Sequence, residues 1–132
     1  MHYLLDTNIC IYLINKKSEK VLRKLETKKP FSVSISAVSV AELEFGIAKS
    51  LHLEKNKMAL TEFLASFSII PFTDLDAEPY GLVRAYLSRK GMPIGAYDLQ
   101  IAAQCLSRNL ILVTNNTKEF DRIPNLRLEN WV

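Results

Sequence analysis

Four carboxylates occur beside apolar segments, where the loss of hydration should be costly. Asp6 follows the apolar run Tyr3–Leu5 in YLLDTNICIYL. Glu42 lies in SAVSVAELEFGI, Asp98 opens AYDLQIAAQCL, and Glu119 follows LILVT in TNNTKEF. Carboxylates that meet in one cleft raise each other's pKa unless a cation compensates them. Oxygen ligands without thiolate or imidazole favour hard ions, so the pattern predicts Mg²⁺, with Mn²⁺ as the alternative.

The chemistry that suits such a site is hydrolysis of phosphodiester bonds by metal-activated water. Phosphodiester cleavage without a metal instead needs a general base and acid, often His or Lys. His2 and His52 are lone histidines without an HExxH or CxxC motif, which also argues against zinc. Cys10 and Cys105 lie among apolar residues, so we expect buried, unpaired thiols.

Glu42 has a structural explanation that must be weighed against a functional one. If Ser39 caps the helix, Glu42 completes a capping box three residues later. If Ser36 is the cap, Glu42 instead lies on the second turn of the helix. Both serines follow the apolar segment closely, so the sequence leaves the two alternatives open.

The other acids differ in how easily structure alone explains them. Asp98 could simply complement a helix dipole near its amino end. Glu119 could be a solvated surface residue. Asp6 is hardest to explain in this way, because Thr7 and Asn8 could each cap the following helix without it.

The elements that must position these acids alternate along the chain. Short apolar segments predict strands at Tyr3–Leu5, Phe31–Ile35, Ser68–Phe72, Leu110–Val113 and Leu126–Leu128. Helical spacing between them predicts a three-layer α/β/α domain, with a mostly parallel central sheet of about five strands. Neither a linker nor a repeat interrupts it, so we expect one domain over residues 1–132. Ligand sites in such sheets lie beyond the carboxyl ends of the strands.

Prolines and a basic segment add further expectations. Pro30 is expected to close a helix over residues 16–29, which carry seven Lys or Arg residues and two Glu residues. This helix presents either a solvated face or a surface for the phosphates of a polyanionic substrate, and the predicted phosphate contacts are Lys16, Lys17 and Lys20. Pro79 is expected in the first turn of a helix that starts near residues 74–76.

Composition sets the class of protein. The chain has 132 residues, of which 48% are hydrophobic and 23% charged, and this balance is typical of a globular domain. No apolar run approaches the ~20 residues of a membrane span. The amino terminus lacks the pattern of a signal peptide, so we expect a cytoplasmic protein. The net charge of +3 does not by itself require a nucleic acid.

Taken together, the motifs resemble those of the PIN-domain ribonucleases, and specifically the VapC toxins of type II toxin–antitoxin systems. The similarity runs nearly end to end, through YLLDTNICIYL, SVSISAVSVAELEFGI, GAYDLQIAAQCL and LILVTNNTKEFDRIPNLRLENW. The chain is most similar to the subgroup that cuts initiator tRNA. A receiver domain, which also has an acidic pocket, is disfavoured because Thr7 and Asn8 follow Asp6 where a second acid would be needed.

The resemblance implies roles for individual residues. Asp6, Glu42 and Asp98 would be the catalytic, metal-site acids, with Asp6 and Asp98 nearest the ion. The supporting polar residues would be Thr7, Asn8, Thr114 and Asn116. Many family members have Asp where this chain has Asn116, and Glu119 is the candidate for the fourth catalytic acid.

The resemblance also implies partners. A VapB-type antitoxin is expected to lay its carboxyl-terminal segment over the acidic cleft, and the enzyme is expected to be a homodimer. The RNA substrate would be initiator tRNA, cut in the anticodon stem-loop. The alternative is a PIN scaffold that binds RNA or protein without catalysis, and retention of the three acids argues against it.

Overall fold

The computed structural model describes all residues from Met1 to Val132. Five parallel strands form one sheet in the order β3-β2-β1-β4-β5. Their bounds are β1 Tyr3–Leu5, β2 Val33–Ser36, β3 Ser68–Ile70, β4 Ile111–Val113 and β5 Leu128–Glu129. The predicted α/β class is confirmed, and the sheet is wholly parallel.

Seven helices connect the strands. They are α1 Thr7–Ile14, α2 Glu19–Glu26, α3 Ala37–Ala48, α4 Leu53–Leu64, α5 Asp74–Arg89, α6 Ala96–Arg108 and α7 Thr117–Phe120. None of them is long and apolar enough to cross a membrane.

The central strand β1 is buried on both faces and separates two apolar clusters. Leu5 faces a cluster that includes Ile9 of α1, together with residues from α2, α3 and α4. Leu4 faces a second cluster that includes Leu87 of α5 and Ile101 of α6. Burial of alternate β1 residues on opposite faces explains why the strand is a continuous apolar run. The helices thus cover both faces of the sheet, in three layers.

Strand ends differ from the predicted ones by one or two residues. Phe31 has a left-handed φ of 66° and is 82% exposed, so β2 begins only at Val33. β3 ends at Ile70 because Pro71 has no N–H to continue the ladder. β5 begins at Leu128, two residues later than its apolar pattern suggested.

The basic helix is shorter than predicted. The prediction that it runs to Pro30 is wrong, because α2 begins after its cap Ser18 and ends at Glu26. Lys16 therefore lies outside it, in the turn after α1, with a left-handed φ of 53°. The three residues before Pro30 belong to the connection to β2.

Pro79 is also placed differently. It is the sixth residue of α5 and not in its first turn, because Thr73 and Asp76 form a capping box that starts the helix at Asp74. Proline cannot donate the bond to the carbonyl of Leu75. Leu75 is 73% exposed, so water is available near the freed carbonyl.

Chain order reverses at the centre of the sheet. From β1 the chain builds β2 and β3 on one side, and later β4 and β5 on the other. The crevice beyond the carboxyl ends of β1 and β4 is therefore the expected place for a ligand in this fold. The buried, unpaired thiols expected at Cys10 and Cys105 are confirmed, and burial raises the pKa of both, so neither is poised as a nucleophile.

Candidate active site

Asp6 lies at the carboxyl end of β1 and caps α1. Its Oδ1 accepts a hydrogen bond of 2.9 Å from the backbone N–H of Ile9. The alternative caps Thr7 and Asn8 are excluded, because the strand turns directly into the helix at Asp6. Asp6 is only 5% exposed, yet its carboxylate still lines an open pocket. It therefore has a structural role in addition to any catalytic one.

Glu42 is held toward the same pocket by a hydroxyl pair. Ser36 caps α3 by accepting from the N–H of Val38, so Glu42 lies on the second turn and the capping-box alternative is excluded. Thr7 Oγ1 lies 2.8 Å from Glu42 Oε1 and 2.9 Å from Ser39 Oγ. Because an ionised carboxylate only accepts, Thr7 donates to Glu42 and accepts from Ser39.

Asp98 stands in the first turn of α6 without serving as its cap. The cap residue is Gly95, and no side chain caps this helix. Burial, followed by the charges of Glu119, Asp6 and Glu42 in that order, raises the pKa of Asp98 to about 6. The helix dipole alone would have favoured the anion, so the raised pKa identifies Asp98 as part of an acidic cluster.

Asn116 connects β4 to Glu119. Its backbone N–H donates to Thr114 Oγ1 over 2.9 Å, and its side-chain amide donates to Glu119 Oε2 over 3.1 Å. Glu119 does not line the pocket, but it has the largest charge effect on Asp98. Thr114 is fully buried beneath the site, where it lowers the pKa of Asp6 by hydrogen bonding.

These residues surround one pocket of about 320 Å³. The lining residues are Asp6, Thr7, Asn8, Ile11, Glu42, Asp98, Asn116 and Phe120. Three of the four predicted acids and three of the four supporting residues are thus brought together. Burial also raises the pKa of Asp6, and this outweighs the hydrogen bonds that favour its anion. The pocket is acidic, partly desolvated and without a compensating Lys or Arg in its lining.

This donor set fits a hard divalent cation that keeps part of its water shell. No three His, Cys, Asp or Glu side chains are arranged so that they could hold a metal ion together. Mg²⁺ commonly takes one or two carboxylates and completes its shell with water and phosphate oxygens. Asp6 and Asp98 are such a pair. Burial raises the pKa of each, and neighbouring carboxylates raise it further, so a cation between them would favour both anions.

The lysines predicted to contact RNA are not part of this pocket. Lys16 and Lys17 follow the far end of α1, about 12 Å along the helix from Thr7 at 1.5 Å per residue. Lys20 Nζ donates to the backbone oxygen of Val132 over 3.2 Å. The structure therefore separates the predicted phosphate contacts from the predicted acids.

Sequence reasoning missed two features of the site. Ser39 was weighed only as a cap, but it is buried and orders the Thr7–Glu42 pair. Lys55 was not considered, although it lines a neighbouring groove of about 490 Å³ that shares Thr7 and Glu42 with the acidic pocket. A single lysine on an exposed helix gives no sequence signal that could have identified it.

Comparison with known proteins places this geometry in a family. The family model described as the PIN domain matches residues 3–126. Ribonuclease VapC2 of Rickettsia felis is 46% identical, with 99% of this chain and 98% of the relative covered. The tRNA(fMet)-specific endonuclease VapC of Salmonella typhimurium is 38% identical, with 99% and 98% covered.

A solved structure agrees with the sequence relatives. The VapBC2 structure from Rickettsia felis, bound to a DNA fragment from its promoter, contains a chain that superimposes with a TM-score of 0.94. That chain is 45% identical, and both chains are covered over their full length. With the acidic pocket at the switch point of a parallel sheet, these matches show that the chain belongs to the VapC ribonucleases of the PIN-domain family.

Proposed function

We propose that this protein is the toxin of a VapBC-type pair and hydrolyses initiator tRNA in the anticodon stem-loop with the help of Mg²⁺, with Mn²⁺ as a substitute. The observation that carries the proposal is the single pocket shared by Asp6, Glu42 and Asp98. The tRNA(fMet)-specific endonuclease from Salmonella typhimurium supports the choice of RNA. A non-catalytic scaffold would not need three carboxylates whose mutual repulsion costs stability.

The carboxylates have separate tasks in this proposal. Asp6 and Asp98 would hold the cation, and Asp6 is fixed in place because its Oδ1 also caps α1. Thr7 fixes the Glu42 carboxylate, which orients the attacking water and accepts its proton. A bound Mg²⁺ would lower the pKa of water and stabilise negative charge on the leaving 3′-oxygen.

Polar residues around the acids complete the site. Asn8 and Asn116 line the pocket and present amides that can donate to phosphate oxygens. Glu119 acts through its charge on Asp98 and through Asn116 rather than as a direct ligand. Glu119→Gln is accordingly expected to reduce cleavage less than the loss of Asp6 or Asp98.

We also propose that a VapB-type antitoxin covers the pocket with its carboxyl-terminal segment, and that the toxin acts as a cytoplasmic homodimer. The apolar groove beside the pocket supports this, since Ile11, Ile14 and Ile47 offer anchoring contacts. A basic side chain from the partner would compensate Asp6 and Asp98 in place of the cation. Co-expression from the native operon followed by pull-down should recover both proteins.

Cleavage of initiator tRNA by wild type and Asp6→Asn tests the catalytic proposal. Wild type should cut in Mg²⁺ and stop in EDTA. Asp6→Asn should lose cleavage but keep its fold, because Asn caps a helix about as well as Asp. Asp74→Asn removes an exposed carboxylate outside the pocket and serves as the matched control. Normal cleavage by Asp6→Asn would show that the site is assigned wrongly.

A further inference from the structure

A basic groove of about 310 Å³ lies on the surface outside the acidic pocket. It combines residues of α2 with the carboxyl-terminal segment, namely Lys20, Arg23, Lys24, Thr27, Asn130 and Trp131. We propose that this groove binds the phosphate backbone of a folded RNA substrate, away from the bond that is cut. The proposal rests on the ribonuclease function proposed above and adds where the rest of the RNA is held.

Helical spacing produces the groove. Positions 20, 23, 24 and 27 follow the i, i+3, i+4, i+7 pattern, so Lys20, Arg23 and Lys24 share one face of α2 with Thr27, which caps its carboxyl end. Val21 is fully buried and fixes the helix against the core. Neighbouring side chains on such a face are about 5–6 Å apart. This is a row of cations on a rigid element, suited to repeated phosphate contacts.

The cations of this row are available for a ligand. The chain has three ion pairs, and neither Lys20 nor Lys24 takes part in one. Lys20 Nζ donates one hydrogen bond, to the backbone oxygen of Val132, and its other N–H groups remain for a phosphate oxygen. Arg23 Nη2 lies 3.2 Å from Glu19 Oε2, but the two side chains are 79% and 86% exposed. Such an exposed pair is weak and can be exchanged for a phosphate oxygen.

The carboxyl-terminal segment supplies the other wall. Asn130 Oδ1 accepts from the N–H of Val132, so the side-chain amide of Asn130 keeps its N–H groups for a phosphate oxygen. Lys20 Nζ donates to the backbone oxygen of Val132 and ties this segment to α2. Trp131 is 2% exposed and anchors the wall in the core.

The groove and the acidic pocket share no lining residue. The rings of Trp131 and Tyr3 are 5.5 Å apart, and Tyr3 begins the strand, whereas Asp6 follows its last residue. The anchor of the groove therefore packs beside the residue that begins β1, and Asp6 lies beyond the last residue of that strand. An RNA that fills both must therefore be larger than the few nucleotides around the cut, which favours a folded RNA such as tRNA.

Binding of initiator tRNA in EDTA, measured against salt concentration, tests the proposal. The variant is K20Q/R23Q/K24Q, and the control R84Q/R89Q/K90Q removes the same charge on and just after α5. The groove variant should bind tRNA at least about tenfold more weakly near 0.1 M salt, with a salt slope reduced by about 2–3. In Mg²⁺ its KM should rise while kcat stays unchanged, since the acids are intact.

An unchanged salt slope, or an equal loss in the control, would overturn the groove as an RNA site. Loss of antitoxin binding with normal tRNA affinity would overturn it in favour of a protein surface. Wild type that binds tRNA with the expected slope but does not cut it in Mg²⁺ would refute the proposed function and leave the groove supported. Thermal melting of both triple variants confirms that they are folded.

Discussion

Replacing Asp98 with Asn should stabilise the metal-free protein at neutral pH while it removes catalysis. Burial and the charges of Glu119, Asp6 and Glu42 raise the pKa of Asp98 to about 6, against an ordinary value of 3.8. A carboxylate with a raised pKa binds its proton more tightly in the folded state than in the unfolded state. Its ionisation therefore destabilises the fold at pH 7.

The magnitude follows from the same pKa difference. At 1.36 kcal/mol per pKa unit, the gap between 3.8 and about 6 corresponds to an upper bound of about 3 kcal/mol. Asp98 is only half-buried, so solvent screening reduces the expected gain to about 1–2 kcal/mol. For a chain of this size the melting temperature should rise by about 3–8 °C.

Thermal melting in EDTA between pH 4 and pH 8 measures the effect. Wild type should gain stability as the pH falls from about 7 to 4, because the folded state takes up a proton that the unfolded state does not. Asp98→Asn should lack this gain in stability, so the melting temperatures of the two proteins should become equal near pH 4. Asp74→Asn, at an exposed residue in the first turn of α5, should show no gain. The electrostatic reasoning would be refuted if Asp98→Asn were less stable than wild type at pH 7, or if the difference between their melting temperatures did not change with pH.

Two further changes test the supports of the fold and the site. Asp76→Asn should lower the free energy of unfolding by about 2–3 kcal/mol in denaturant titrations, because Arg108 loses its buried ion-pair partner. Burial would raise the pKa of Asp76, but hydrogen bonds from Ser107 and Thr73 together with Arg108 lower it below its ordinary value. The loss of stability in Asp76→Asn should therefore be complete at neutral pH and shrink as the pH falls below about 4. A loss of the same size below pH 4 would contradict the stabilising role of the ionised Asp76 carboxylate. Thr7→Val should lower the free energy of unfolding by about 1 kcal/mol and slow RNA cleavage, because Glu42 and Ser39 lose the Thr7 hydroxyl to which both are hydrogen-bonded. Unchanged melting and unchanged single-turnover rates would argue against that role.

The sheet and the position of the acids could be predicted because they depend on local patterns. A wholly buried strand is a continuous apolar run, as in Tyr3–Leu5, and parallel strands bring their carboxyl ends to one edge. Asp6 and Glu42 therefore had to meet once the strand order was known. The sequence also offered both caps of α3, and only the observed bond from Val38 to Ser36 decides between them.

The errors arose where tertiary contacts override local signals. A proline was expected to mark the end of the basic helix, but the backbone at Phe31 and Lys16 adopts left-handed φ values that no local rule required. The start of α5 depends on Asp76, which completes the capping box with Thr73. The carboxylate of Asp76 is held by Arg108 of α6, a helix that follows later in the chain. Lys16 and Lys17 were predicted as phosphate contacts beside the acids because charge was counted along the chain, and such a count does not include the direction in which α1 leaves the sheet.

The chemical ends of the RNA products test the central claim most directly. Attack by metal-activated water, in line with the leaving 3′-oxygen, leaves a 5′-phosphate and a 3′-hydroxyl and does not need the 2′-hydroxyl. End mapping of a cleaved initiator-tRNA anticodon stem-loop, with a second substrate carrying a 2′-deoxy residue at the cut, distinguishes the mechanisms. We expect both substrates to be cut in Mg²⁺ with these ends, and neither in EDTA. A 2′,3′-cyclic phosphate, or full activity in EDTA, would contradict catalysis by Asp6, Glu42 and Asp98 through a metal ion.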